Sequence, residues 1–244
     1  MDALRQIDGW GAGTAAAAVL RDGELVAAEE GTLDLDEPAG PPGATVRHLL
    51  AHASGLPFEG GTPIAQPGRR RIYSNTGFEV LAEALAAAAG MPFAEYLADA
   101  VLAPLGLDAE LRGSAGAGMW GSLRDLAAVA RELLAPSLVA PETLAEATSV
   151  QFPGLVGVVP DVGRFEPNDW GLGVELRDAK APHWTGTRNS ERTFGHFGGS
   201  GTFLWVDPVP DVALACLTDL AFGPWALDAW PALSDAVLAE ANAS

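Results

Sequence analysis

The sequence predicts an α+β fold, with an antiparallel sheet from N- and C-terminal strands flanked by helices and a mainly helical region between them. Three observations lead there. Short apolar runs divided by turn residues occupy both ends of the chain, and alanine-rich helical patterns occupy its middle. No internal repeat of about 20–50 residues marks a solenoid. Hydrophobic residues make up 48% of the chain against 19% charged, a composition that builds a core rather than an acidic disordered chain. A length of 244 residues suits a single domain 1–244, in which 1–30 and 165–244 form the sheet and 31–164 the mainly helical part.

The elements follow in order. Residues 14–20 and 24–28 are apolar runs on either side of Asp22-Gly23, a hairpin signal. Residues 45–53 read as a helix with Thr45 at its cap and Gly55 closing it. Gly and Pro crowd 57–70, which reads as a surface loop. Asn75 or Thr76 can cap a helix that runs to Ala89 and stops at Gly90, and 92–102 gives a second helix stopped by Pro104 and Gly106. Further helical patterns cover 123–134 and 141–147, with alanine faces suited to close packing. Strands return at 171–176, followed by a polar stretch over 177–192. Residues 202–206 and 212–218 form a strand pair, and a final helix fits 227–241 with Pro231 near its start or kinking it.

Charge narrows the function classes. The chain carries 14 Lys+Arg against 32 Asp+Glu, a net charge of −18, and Lys180 is its only lysine. Such a chain is poorly suited to neutralising phosphates, so nucleic acid is not expected as a partner, nor is an anionic membrane surface. No secretory signal or bilayer-length apolar run is visible, which points to a soluble cytoplasmic setting. Cys216 is the only cysteine and lies in an apolar run, so it reads as a buried thiol with no disulfide role.

Several familiar motifs are excluded. His48 and His52 stand four apart, the spacing that places two imidazoles on one helix face. A zinc protease would need glutamate directly after the first, and Leu49 stands there. The pair reads as structural, and neither metal nor cofactor is expected. The glycine clusters Gly9-Trp10-Gly11-Ala12-Gly13, Gly116-Ala117-Gly118 and Gly198-Gly199-Ser200-Gly201 lack the glycine-lysine pair of a phosphate loop. Thr202 stands two residues after Ser200, so the nucleophile elbow Gly-x-Ser-x-Gly fails as well.

Two other clusters remain. Tyr73-Ser74-Asn75 sits between a loop and a helix, where side chains project into a cleft. His196-Phe197-Gly198 opens a glycine-rich strand, of exposed-edge type, that another backbone can approach closely. Together with the hairpin at 14–28, the segment 30–38 and the helix-and-turn 45–56, these resemble in order the serine β-lactamase-like hydrolases, which include penicillin-binding proteins, class C β-lactamases and related esterases. The resemblance covers nearly the whole chain. It implies a β-lactamase/transpeptidase-like fold that hydrolyses a small-molecule ester or a β-lactam/D-Ala-type amide through an acyl-enzyme. It makes Tyr73 the base or proton relay, and Asn75 a hydrogen-bond partner of the substrate's acyl side chain. His196 and Gly198 stand at the Lys-Thr-Gly position in its His-x-Gly form, the form of esterase-like members. The N–H of Gly199 becomes an oxyanion-hole donor, a group worth about 2.7–4 kcal/mol at the transition state.

One departure outweighs these matches. The family's nucleophile is the serine of Ser-x-x-Lys, and three residues before the only lysine stands Arg177. The motif is absent. Its place should lie after the hairpin, yet Ala27-Ala28 runs straight into Glu29-Glu30-Gly31. The gap corresponds to a strand end, a loop and most of a helix, roughly 25–30 residues at ordinary element lengths. The fold is therefore expected to be incomplete, without the nucleophile helix. Ser54, Ser74 and Ser200 are the candidate substitute nucleophiles, and none has an acid–base partner nearby in sequence. The resulting expectation is a hydrolase by descent, inactive as a pseudoenzyme. The alternatives are a non-catalytic ligand- or partner-binding relative and an artefactual excision of an active hydrolase.

Overall fold

The computed structural model describes residues 33–241 together with the backbone of two N-terminal strands. These strands, β1 (Ala16–Arg21) and β2 (Glu24–Glu30), pair antiparallel, as the two apolar runs predict. The Asp22-Gly23 turn, the chain up to residue 15 with its glycine cluster, Gly31-Thr32 and residues 242–244 lie outside the described residues.

The helical region starts with α1 (Val46–Leu50), shorter than the expected 45–53. It ends because His52 takes a positive φ of 53°, so His48 and His52 do not share a helix face. Thr45 stands at the cap position, but its Oγ1 meets His48 Nδ1 at 2.9 Å instead of capping the backbone. Strand β3 (Arg71–Ile72) leads into α2 (Asn75–Ala89). The N-cap is Ser74 rather than Asn75 or Thr76, and Gly90 closes the helix in the left-handed conformation at φ 66°, where glycine is favoured. Helix α3 (Phe93–Leu97) continues as a π turn over Ala98–Leu102. A short hairpin of β4 (Glu110–Leu111) and β5 (Met119–Trp120) follows. Helix α4 (Leu123–Leu134) begins with a reciprocal capping box between Ser122 and Asp125, and α5 (Pro141–Ala147) follows with proline in its first turn. Strands β6 (Gly157–Val159) and β7 (Gly163–Phe165) join β3 in a small sheet of order β3-β6-β7.

The C-terminal part is a four-stranded antiparallel sheet of β8 (Glu175–Leu176), β9 (Phe194–Gly198), β10 (Thr202–Asp207) and β11 (Val212–Cys216), in the order β11-β10-β9-β8. The strand expected over 171–176 shrinks to its last two residues. Gly173 at φ 78° and the Gly171 N–H to Val174 carbonyl bond close a turn before it. The glycine-rich β9 is an interior strand, not an edge, because it is laddered on both sides. The last helix, α6 (Pro224–Ala241), starts earlier than expected and carries Pro231 inside it.

Alternation along β10 explains the layers. Phe203 and Trp205 point into a cluster with Trp184, Ala226, Trp230 and Leu238, which seats α6 on one face. Val206 points the other way, packing with Leu176 and Phe194 against Leu133 and Leu134 of α4. The Trp205 indole N–H donates to Ser234 Oγ at 3.0 Å, tying sheet to helix. The result is an α+β architecture with an antiparallel sheet between helices. The β1–β2 hairpin closes a ladder of its own, and among the described residues β11 pairs only with β10.

Candidate active site

Tyr73 is held by what surrounds it. Two residues before it, Arg71 is buried and its guanidinium donates to the carbonyls of Ala51, Asn168, Gln151 and Phe152. This pins β3 to three separate segments. Burial lowers the Arg71 pKa to about 10, with Asp169 opposing, so it stays cationic at neutral pH. His52 brackets the same turn from its other side. Its carbonyl accepts from the Ile72 N–H at 2.8 Å and its Nδ1 accepts from the Ser74 N–H at 3.1 Å. Burial first, then the nearby His196 and Arg71, holds His52 well below the usual imidazole range, so it is neutral and Nδ1 is free to accept. Ser74 Oγ donates to the Pro57 carbonyl at 2.6 Å and accepts from the Gly77 N–H at 2.9 Å, which caps α2.

The Tyr73 ring sits in an aromatic box. His52 lies 4.5 Å away between centroids, His196 5.6 Å, Phe58 5.8 Å and Trp170 6.1 Å. Burial, with the Glu175 carboxylate adding, pushes the phenol up to about 12. Across the box, β9 delivers His196. Its Nδ1 lies 2.6 Å from the Phe197 carbonyl, which makes Nδ1 the protonated nitrogen and Nε2 the acceptor in the neutral ring. Burial lowers its pKa despite Glu175.

The turn after β9 is fixed by a close approach. Gly201 has φ 84°, and a Cβ there would stand 1.9 Å from the Leu220 carbonyl oxygen. The Gly199 carbonyl accepts from the Phe222 N–H at 3.0 Å, while open space surrounds the position where a Gly199 side chain would point. Gly198 ends β9 opposite Thr202. On the facing wall, Gly116 lies so near Asn75 that a Cβ would meet the Asn75 Cα at 3.0 Å.

Behind the box runs a buried polar network. Glu175 Oε1 accepts from His183 Nε2 at 3.1 Å, and Oε2 accepts from the Trp184 indole at 2.8 Å. Lys180 Nζ stands 3.8 Å from Glu175 and donates to the carbonyls of Asp169, at 2.8 Å, and Leu176. Burial alone would raise the Glu175 pKa, but the His183 bond and the His183 and Lys180 charges outweigh it and lower the value. Burial lowers the Lys180 pKa, with Glu175 the first opposing charge. The single lysine is thus committed to the protein's own backbone.

Tyr73, Asn75, His196, Gly198 and Gly199 all line one cleft of about 710 Å³. The structure therefore brings together every site residue expected from sequence. Its lining also includes the apolar side chains of Leu126, Leu133, Val174 and Leu204. The substitute serines do not assemble a nucleophile. Ser54 is buried and its Oγ accepts from the Leu56 N–H at 3.4 Å, Ser74 caps α2, and Ser200 Oγ lies 3.2 Å from Thr202 Oγ1. Among the described residues no serine hydroxyl bonds to a histidine or lysine side chain, and no group of three or more metal-ligating side chains forms. Sequence reasoning missed Trp170 and the Glu175–Lys180–His183 network. A buried acid eight positions before the histidine it holds carries no periodic signal.

Comparison with known proteins agrees with this geometry. The family model described as Beta-lactamase matches residues 14–238. A crystal structure of a beta-lactamase from Mycobacterium bovis is 49% identical, covers 98% of this chain and 99% of that one, and superposes with a TM-score of 0.85. EstCE1, a hydrolase with promiscuous acyltransferase activity, shares the fold with a TM-score of 0.61 at 20% identity, over 78% of this chain and 74% of that one. Among curated proteins, the D-alanyl-D-alanine-carboxypeptidase/endopeptidase AmpH of Escherichia coli (strain K12) is 31% identical over 116 residues, covering 32% of this chain and 30% of that protein. The chain therefore spans under a third of the length of that relative. A stretch of 116 residues would be nearly half of this chain, yet the match takes up 32% of it. AmpH carries residues inside the matched stretch that have no counterpart here.

Proposed function

We propose, from the premise that this chain belongs to the beta-lactamase family, that it keeps the ligand-facing half of a serine hydrolase site and forms no acyl-enzyme. The observation that carries the proposal is the state of its only lysine. Lys180 follows Arg177 by three positions rather than a serine, is buried, and spends its ammonium on the Asp169 and Leu176 carbonyls. No Ser-x-x-Lys pair exists to be activated.

In this reading the ligand is a small ester or a β-lactam/D-Ala-type amide. Asn75 faces its acyl side chain, the Gly199 N–H faces its carbonyl oxygen, and Gly198 lets the ligand backbone approach β9. Tyr73 and His196 stand where a proton relay would be. A phenol at about 12 is ionised to only about one part in 10⁵ at pH 7, and a neutral imidazole supplies no cation to change that. The relay therefore rests in its protonated, idle state. A missing helix between sheet and helical region is supported by the chain path. From the end of β2 at Glu30 to the start of α1 at Val46 no described residue is helical.

A second reading is a ligand-binding relative, favoured by the retention of the 710 Å³ cleft with its polar residues intact. The third, an excised form of an active hydrolase, is favoured by the sequence, in which Ala27-Ala28 is followed at once by Glu29-Glu30-Gly31 between two segments that resemble the family. Hydrolysis of a p-nitrophenyl ester and of a chromogenic cephalosporin tests the proposal. The expected rates equal buffer background and are the same for Tyr73→Phe. Turnover that falls on Tyr73→Phe or His196→Ala would overturn it. The encoding DNA around codons 26–31 separates the second reading from the third.

A further inference from the structure

A second cavity, of about 550 Å³, adjoins the cleft and shares Phe58, Tyr73, Pro160 and Asp161 with it. Its floor follows from strand register. Ile72 of β3 stands beside Val158 of β6, and Val158 stands opposite Arg164 of β7. Paired residues project from the same face of a sheet, so an apolar row ends in a guanidinium. Ile64 and Val158 are both exposed, which leaves this apolar floor open to solvent.

The charges at the rim are unusual for this chain. Three of its 14 cationic side chains, Arg70, Arg71 and Arg164, line this one cavity in a protein of net charge −18. Arg71 is consumed by backbone carbonyls beneath the floor. Arg70 is exposed and makes no ion pair among the described residues. Arg164 lies 3.7 Å from Glu166, with both side chains mostly exposed, a pair of little energy in water. Asp161 is the one acidic residue lining the cavity.

We propose that this cavity binds a monocarboxylate with an apolar body, its carboxylate at the Arg70 and Arg164 rim and its hydrocarbon on Ile64, Ile72 and Val158. Guanidinium is the group best matched to a carboxylate. A polyphosphate or nucleic acid fits less well, because the floor is apolar and the chain's overall field repels a highly charged anion. The two cavities share Phe58, Tyr73, Pro160 and Asp161 as walls, so an acid anchored here sits next to the cleft. The binding involves no covalent step and stands whether or not the cleft turns anything over.

The test is calorimetric titration of the full chain with 4-phenylbutyrate and, as the neutral control, its primary amide. The acid should bind about tenfold more tightly than the amide, and R70Q/R164Q should remove that difference. Asp161→Asn should tighten the acid by about threefold, a gain that misfolding cannot produce. Near-UV circular dichroism checks that each variant keeps its packing. Equal binding of acid and amide, no saturable heat at millimolar ligand, or an unchanged affinity in both R70Q/R164Q and D161N would overturn the proposal.

Discussion

Replacing Arg71 by methionine keeps much of the side chain's volume and removes its charge and all of its donors. In the structure that guanidinium serves four carbonyls, those of Ala51, Asn168, Gln151 and Phe152, from a buried position. A buried carbonyl left without a donor costs about 1–3 kcal/mol, so four would sum to roughly 4–12 kcal/mol if nothing relaxed. Water entry and the relief of arginine desolvation offset part of this. The expected loss is about 3–5 kcal/mol, the range for removing one partner of a buried charged contact. Against a domain stability of about 5–15 kcal/mol, the variant sits near the edge of folding. Equilibrium unfolding in urea, read by tryptophan fluorescence, measures it. Arg71→Lys returns one cation and three donors to the same place and should recover about half the loss. A loss under about 1 kcal/mol in Arg71→Met would refute the view that this side chain anchors β3 and the Tyr73 turn.

Three further outcomes are expected. Ser74→Ala removes the α2 cap and the bond to Pro57 and should lower stability by about 1–2 kcal/mol, measured in the same urea titration. His52 is neutral when folded, with its pKa held well below the unfolded value by burial. The unfolded chain therefore binds more protons below about pH 6.5, and stability should fall on acidification by up to about 1.4 kcal/mol per pH unit. His52→Gln should reduce that slope over pH 5–6.5 in a series of urea midpoints, leaving the part that His48 and His196 contribute. Gly201→Ala puts a methyl group 1.9 Å from the Leu220 carbonyl oxygen and should disturb the turn carrying Gly199, visible as lost near-UV dichroism from the Trp184 and Trp230 cluster.

Much of the site was legible because its residues sit at chemical boundaries. Tyr73-Ser74-Asn75 falls where a loop meets a helix, and His196-Phe197-Gly198 where an apolar strand meets glycines, so local pattern located both. Helices α4 and α5 matched their expected limits because proline, serine and amphipathic period agree there. The illegible parts were set by tertiary contact. The two-residue strand β3 is too short to show a period, and it exists because Arg71 binds carbonyls from distant segments. The pairing of His48 with His52 dissolved because His52 leaves the helix to accept from Ser74. The strand over 171–176 was cut short by a turn that glycine permits and the alternation of apolar residues does not reveal. Lys180 shows both sides: its count told against a catalytic lysine, while its burial beside Glu175 could be read only from the fold.

The proposed inactive site requires that no serine in this chain act as a nucleophile. Intact-mass spectrometry of the folded protein after incubation with a fluorophosphonate, and separately with a fluorescent penicillin, addresses it directly. The expected result is an unchanged mass with both reagents while cooperative unfolding is retained. A stoichiometric adduct on a single serine, blocked by Tyr73→Phe, would contradict it.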